Sequence, residues 1–301
     1  MNQVAVIIPA FNRGHVLVRA LDSVLAQTFE DWEMVIVDDG STDGTETMVR
    51  KWLEHKRPTQ NIQFVKLANG GVSRARNVGV GLTAAPWLAF LDSDDEWLPE
   101  KLALQMELTP HNSLIHTGEI WIRNGVRVNA MKKHAKTGGR VFVACVEQCF
   151  ISPSTTLLAR ELFVAHGGFR EDLTVCEDYD LWLKITAETS IGFIETPLIK
   201  KYGGDPDQLS LSTPAMDYYR VKALKGQLHN RFLSEEEKRV CAESLIQRAE
   251  ILLKGFKKYP NASREREVQE AVQSARNALT TNQNTHSAAE SFPRSEFNDT
   301  L

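Results

Sequence analysis

An apolar run, Trp87-Leu88-Ala89-Phe90-Leu91, breaks abruptly into carboxylates at Asp92-Ser93-Asp94-Asp95-Glu96. Two aspartates one residue apart at a strand end can hold a hard divalent cation between themselves and the oxygens of a diphosphate. Mg2+ and Mn2+ prefer carboxylate, phosphate and water ligands. The same acids would also suit a solvated turn that caps a helix beginning near Pro99. A second candidate is Asp178, in a helix expected from about Glu177 to Ala187. It shares a face with Leu181, Trp182 and Ile185, whereas Glu177 should face elsewhere. A carboxylate on an inward stripe is partly desolvated, which raises its pKa and suits it to accept a proton near neutral pH. The alternative is that Asp178 only caps its helix.

The elements that must position these acids follow from hydrophobic periodicity. Val4-Ala5-Val6-Ile7-Ile8 reads as a buried strand stopped by Pro9, and Val16, Leu17, Ala20, Leu21, Val24 and Leu25 then recur at helical spacing. Met34 to Val37 repeats the strand, Asp38-Asp39-Gly40-Ser41-Thr42-Asp43 makes a polar turn, and Met48, Val49, Trp52 and Leu53 mark a helix. A third strand near Ile62 to Leu67 leads through Asn69-Gly70-Gly71 into a helix start at Val72-Ser73-Arg74-Ala75-Arg76-Asn77, whose amides and arginines favour an anion. Alternation of strand and helix predicts an α/β fold with a mostly parallel sheet and helices on both faces. The ends of the first, second and fourth strands then converge on one rim, where open α/β sheets bind ligands.

Beyond Pro110 the rhythm changes. Leu114 to Ile122, Asn124-Gly125 and Val126 to Val128 predict a hairpin. Met131 to Arg140, with Lys132, Lys133, Lys136 and Arg140, reads as a mobile basic surface loop. A strand near Ser154 to Leu158 follows, and later Ile191 to Ile194 and Leu198 to Tyr202 flank Pro197. Apolar positions from Val221 to Leu253 predict a helical appendage over 213–280, and the polar stretch 281–301 predicts a disordered tail.

A chain of 301 residues with 42% hydrophobic residues can bury a sizeable core. Its net charge of −4 speaks against wrapping nucleic acid, so no nucleic-acid partner is expected. No apolar run is long enough to span a bilayer, and Met1-Asn2-Gln3-Val4 lacks the basic flank of a signal peptide, so a cytoplasmic location is expected. Cys145, Cys149, Cys176 and Cys241 form no C-x-x-C pair and are expected to be reduced structural thiols.

Taken together the motifs resemble those of glycosyltransferase family 2, with its GT-A fold and nucleotide-sugar donors. The resemblance spans about residues 3 to 210. It rests on Val6-Ile7-Ile8-Pro9-Ala10-Phe11-Asn12, Val37-Asp38-Asp39-Gly40-Ser41-Thr42-Asp43, Gly71 to Gly79, Leu91-Asp92-Ser93-Asp94-Asp95 and Glu177-Asp178-Tyr179-Asp180-Leu181-Trp182. It implies a catalytic domain over 1–212, divided into a nucleotide-sugar and metal half (1–110) and an acceptor half (111–212). Pro9, Ala10 and Phe11 would line the base and ribose pocket, and Asp39 would accept from the imide N–H of a uracil or thymine. Arg76 would contact the nucleotide and its diphosphate, Asp92 and Ser93 would lie on the nucleotide side, and Asp94 would bind Mn2+ or Mg2+. Asp178 would be the catalytic base of an inverting transfer of one sugar, from a donor expected to be UDP-linked, to a hydroxyl of a glycan or lipid-linked acceptor.

Where similar sequences carry a metal-proximal histidine, Asp205 stands here. No Gln-x-x-Arg-Trp motif of processive synthases is present, so non-processive transfer is expected. Lys132, Lys133, Lys136 and Arg140 would meet an anionic acceptor or the inner membrane face, making peripheral contact there. The competing enzymatic reading is a sugar-phosphate nucleotidyltransferase, although Pro9 to Gly14 is a poor glycine-rich phosphate loop. A phosphatase of the haloacid-dehalogenase type would want Thr or Val where Glu96 stands. A receiver-like switch using Asp38, Asp39 and Asp92 would leave 110–210 without a role, and a nucleotide-sugar-binding relative without turnover is the remaining alternative.

Overall fold

The computed structural model describes residues 2–128, 135–203 and 215–290. The first half alternates β1 (Val4–Ala10), α1 (Leu17–Leu25), β2 (Trp32–Asp38), α2 (Thr45–Lys56), β3 (Ile62–Lys66), α3 (Val72–Gly81) and β4 (Trp87–Phe90). Then come β5 (Glu96–Trp97), α4 (Lys101–Leu108), β6 (Leu114–Arg123), β7 (Val126–Val128), α5 (Phe142–Glu147), β8 (Leu157–Ala159), α6 (Arg160–Ala165), α7 (Glu177–Glu188) and β9 (Gly192–Gly203). The described chain closes with α8 (Met216–Lys225), α9 (Glu235–Lys258) and α10 (Ala262–Glu290).

The strands form one sheet in the order β3-β2-β1-β4-β8-β6-β9-β5, with β7 on β6. β1 to β4, β6 and β9 run one way, and β5, β7 and β8 run against them. The expected mostly parallel α/β sheet is therefore present, with antiparallel strands interleaved in its second half. Strand alternation sorts the core into two layers. Val4, Val6, Ile8 and Ala10 of β1 pack with Leu17, Leu21 and Val24 of α1 and Val49 of α2. Ala5 and Ile7 point the other way, into a cluster with Ala75 and Val80 of α3.

Pro9 lies inside β1 without breaking it. Leu91 N donates to Ile7 O, and Asp39 N to Ala10 O, so odd residues of β1 face β4 and even ones face β2. The register with β4 ends at Ile7 opposite Phe90. The missing amide of Pro9 points to where β4 has already left the ladder, so no bond is lost. That divergence opens the crevice in which the acids sit.

Gly79 sets how closely α3 approaches the sheet, because an added Cβ would lie 2.5 Å from Ile7 Cγ2 and 3.2 Å from Val37 Cγ2. A mid-helix Gly→Ala change ordinarily gains up to about 1 kcal/mol. Overpacking against two β-branched core side chains typically costs about 1–3 kcal/mol. Gly79→Ala is therefore expected to be net destabilising, lowering the urea midpoint without changing the denaturant slope.

The hairpin is present, with Asn124 and Gly125 both at positive φ (51° and 75°), as a two-residue type I′ turn requires. Several expectations need correction. β9 runs unbroken through Pro197, because register shifts against β6 around Gly118 absorb the irregularity. The helices expected in 213–280 are present, and they pack onto the sheet: Leu224, Cys241, Leu245, Val268 and Ala271 share one buried cluster with Ile7 and Val37. The backbone from 281 to 290, expected as disordered tail, continues α10 to Glu290. No Gly or Pro interrupts that stretch, and extending a formed helix needs no new nucleation. Residues 291–301 lie outside the described residues, as do Lys132, Lys133 and Asp205. Among the described residues no helix is long and apolar enough to cross a membrane.

Candidate active site

The loops after β1 and β2 are latched to each other. Asn12, at a left-handed φ of 53°, donates its backbone N–H to Ser41 Oγ (2.8 Å) and accepts from Thr42 N on its side-chain oxygen (2.9 Å). Arg13 N donates to Thr45 Oγ1 and Gly14 N to Asp43 Oδ2. Burial opposes ionisation of Asp43, but the hydrogen bonds from Thr45 and Gly14 prevail and hold its pKa below the usual value. Of the three residues assigned to a base pocket, Pro9 and Ala10 are buried within β1, because the ladder to β2 continues through Ala10 opposite Asp38. Phe11, 45% exposed at the rim, is the one whose ring is presented.

Asp39 is buried and shapes the β3–α3 loop. Gly70 N donates to its Oδ1 (2.9 Å), while Gly71 N (2.8 Å) and the Asn69 amide (3.2 Å) donate to its Oδ2. Gly40 is needed where this loop comes close, since its φ is +83° and an added Cβ would lie 2.8 Å from Asn69 N. Oδ1 keeps acceptor capacity for a further donor. Asp38, fully buried, accepts from Ser41 N and lies 4.0 Å from Lys66 Nζ, so it belongs to the loop scaffold.

The loop after β4 is pinned from three sides. Arg19 of α1 donates to Asp94 O (2.5 Å) and stacks 3.5 Å over the ring of Tyr202. Ser154 Oγ accepts from Asp92 N and donates to Asp95 Oδ2 (2.6 Å), and Tyr202 N donates to Asp95 Oδ1. Burial pushes the Asp95 carboxyl up to about 8, with Asp92 and Asp94 adding to it against the opposing charge of Lys201. Ser93 is buried and Asp92 partly exposed. Burial first, and the Asp92 charge second, also raise the pKa of Asp94.

No group of three or more His, Cys, Asp or Glu among the described residues is arranged to hold a metal by itself. The Asp94 carboxylate nevertheless fits such an ion. Its carboxylate is repelled by Asp92, with only its own backbone N–H and the charges of Arg13 and Lys201 opposing that, and Mg2+-type sites beside nucleotides take one or two carboxylates with phosphate and water completing the shell.

Arg76, expected from the resemblance to contact the nucleotide and its diphosphate, is 4% exposed, with Nη2 donating to Asp92 Oδ1 (2.7 Å) and Nη1 to Glu177 Oε1 (2.5 Å). Burial alone would lower its pKa, but the two carboxylates reverse that and raise it. Asn77, the next residue, clamps the loop before α7 by donating to Phe169 O (2.8 Å) and accepting from Phe169 N (3.1 Å). The start of α3 thereby ties the β4 loop to the start of α7.

Glu177, expected to face away, is instead the more buried of the Glu-Asp pair, at 7% exposure. Asp180 is also buried, paired with Arg170 (3.2 Å) and Lys184 (2.7 Å). Asp178 is partly exposed and, alone of these three acids, has no ion pair among the described residues. Its Oδ1 accepts from Tyr179 N (2.7 Å) and its Oδ2 from the Cys149 thiol (3.0 Å). Cys149, Ser154, Arg19 and Lys201 do not stand out as site residues in the sequence. Their roles depend on partners far away in the chain, and no local pattern marks them.

The described part of the basic loop is not a free solvated face. Lys136 is mostly covered, pairs with Glu119 (3.4 Å) and donates to Phe150 O. Arg140 pairs with Glu237 (2.8 Å), whose other work is a capping box with Ser234 at the start of α9.

Residues 5–166 match the family described as Glycosyl transferase family 2. The chain belongs to that family. It is 31% identical over 204 residues to an uncharacterized glycosyltransferase of Rickettsia felis, covering 66% of this chain and 32% of that protein. The chain spans about a third of the length of the first curated relatives it matches. It is 29% identical over 227 residues to WfgD of Escherichia coli, described as a UDP-Glc:alpha-D-GlcNAc-diphosphoundecaprenol beta-1,3-glucosyltransferase, covering 74% of this chain and 83% of WfgD. Among solved structures, Staphylococcus aureus TarS 1–349 in complex with UDP-GlcNAc shares the fold at a TM-score of 0.71 and 20% identity, with 99% of this chain and 95% of that one covered. A mannosyltransferase of Pyrobaculum calidifontis in complex with GDP-Man and Mn2+ shares it at 0.54 and 19% identity, over 93% and 87% of the two chains.

Proposed function

We infer that this family 2 chain is an inverting, non-processive glycosyltransferase that moves one sugar from a nucleoside-diphosphate sugar, UDP-linked in the favoured reading, to a hydroxyl. The observation that carries this is the buried Arg76 bridge. One guanidinium joins Asp92, in the loop suited to a cation and diphosphate, to Glu177, next to the unpaired acid Asp178. Nucleotide side and proton acceptor are thus held in one frame. The UDP-GlcNAc complex of TarS and the UDP-glucose named for WfgD support the choice of base.

In this reading Phe11 stacks on the base, Asp39 Oδ1 accepts from its imide, and Asp92 and Ser93 stand on the ribose side. Asp94 would hold Mn2+ or Mg2+, which when bound supplies positive charge to the departing diphosphate. Asp178 takes the proton of the acceptor hydroxyl as that oxygen attacks from the side opposite the leaving group, inverting the configuration. A glycan or lipid-linked acceptor accords with WfgD, whose named acceptor is a diphosphoundecaprenol-linked sugar. Such an acceptor would bring the protein to the cytoplasmic face of a membrane.

The test is calorimetric titration of UDP and UDP-sugars with Mn2+, Mg2+ or chelator. Wild-type affinity is expected to need the cation. Asp94→Ala is expected to lose about ten- to hundredfold of the cation-dependent affinity, the scale of one charged ligand contact. An unchanged Mn2+-dependent affinity would remove Asp94 from the site. Release of pyrophosphate instead of UDP during turnover would identify a nucleotidyltransferase.

A further inference from the structure

We propose that Cys149 is a positioning residue for the reaction, its thiol orienting the Asp178 carboxylate through a hydrogen bond from outside the helix. This rests on the reading of Asp178 as proton acceptor. Cys149 lies just past the end of α5, in the loop that leads into the turn bearing Ser154, and it reaches across to the first turn of α7. Its Sγ is 3.0 Å from Asp178 Oδ2. Cys145, Cys176 and Cys241 are buried, whereas Cys149 is exposed.

The effect is geometric. An aspartate at the start of a helix can rotate about χ1 and χ2 unless both oxygens are held. The backbone N–H of Tyr179 takes Oδ1, and the residue that takes Oδ2 comes from outside the helix. With both donors in place the carboxylate plane is set, and each oxygen keeps a free acceptor position for an incoming hydroxyl. Although the residue as a whole is exposed, desolvation of its thiol, and then the Asp178 charge, raise the thiol pKa well above its ordinary value, so Cys149 is an S–H donor rather than a competing thiolate. Ser152 and Ser154, a few residues on, hold Lys201 and the Asp92–Asp95 loop respectively, so one short segment touches both sides of the crevice.

The experiment uses the full chain with Mn2+ and measures nucleotide release from UDP-, dTDP- and GDP-sugars with water as acceptor, alongside UDP affinity and melting temperature. Cys149→Ala is expected to lower kcat about three- to tenfold, the size of one modest hydrogen bond, with donor KM, UDP affinity and melting temperature little changed. Cys149→Ser, whose hydroxyl also donates, is expected to return to within about twofold of wild type. Asp178→Asn, measured in parallel, separates the two readings. If Asp178→Asn is crippled while Cys149→Ala turns over at the wild-type rate, the positioning role is wrong and the base assignment stands. If Cys149→Ala and Cys149→Ser lose stability and kcat together, the residue is structural and the proposal falls. A normal Asp178→Asn enzyme, or a wild type that releases nucleotide from none of the donors, overturns the underlying reading and this inference with it.

Discussion

Asp178→Asn is expected to lower kcat by about 10² to 10⁴ while leaving donor affinity and melting temperature close to wild type. The amide keeps the size of the carboxylate and can still accept from Tyr179 N through its oxygen, so the first turn of α7 retains that bond. What it loses is the capacity to take a proton from the attacking hydroxyl. Were Asp178 only a helix-start acid, the same change would cost about 1 kcal/mol of stability or less, with near-normal turnover. The neighbouring acids are poor substitutes. Glu177 is held by Arg76, and Asp180 by Arg170 and Lys184. Measuring kcat, UDP affinity and thermal stability on one preparation decides between the two, and normal turnover would remove Asp178 from catalysis.

Arg76→Met is expected to destabilise the protein more than Asp94→Ala, Cys149→Ala or Asp178→Asn. It leaves Glu177 buried without its cation, and breaking a buried pair by removing one partner typically costs about 3–5 kcal/mol. Asp92 contributes less to that loss, since it is partly exposed and water can solvate it. A fall in melting temperature on the order of 10 °C follows for a chain of this size. Replacing both partners, Arg76→Met with Glu177→Gln, should recover much of the stability, because no uncompensated charge is then buried. It should not recover turnover, because the link between the β4 loop and α7 is still absent. Thermal denaturation of the single and double variants, with donor turnover on each, checks both halves. A double variant as unstable as Arg76→Met would show that the cost lies in packing beneath Phe169, whose ring is 5.1 Å from the guanidinium carbon, rather than in charge.

Much of the frame was legible because its causes are local. Alternating apolar and helical periods placed β1 to β4 and α1 to α3, since each strand and each amphipathic stripe is specified by its own few residues. The Asn124-Gly125 turn was legible for the same reason, as both positions need positive φ and these residues tolerate it. The acids at Asp92 and Asp94 could be placed at a strand end because a buried run has to stop where charge begins.

Which way Glu177 and Asp178 face was decided elsewhere. A stripe of Leu181, Trp182 and Ile185 defines an inward face only coarsely, and a buried guanidinium arriving from position 76 drew Glu177 inside while Asp178 stayed open. Lys136 and Arg140 looked like free cations in sequence, but Glu119 and Glu237 meet them in the fold. The helices after residue 215 looked like an addition until their apolar faces merged with the core under β1 and β2. The sequence by itself therefore determined the βα order, the rim and the identity of the acids, because those depend on neighbours within a turn or a strand. Only the tertiary structure decided which acid is paired, which is free and which cation is neutralised, because the energy of a buried charge depends on partners about a hundred residues away in the chain.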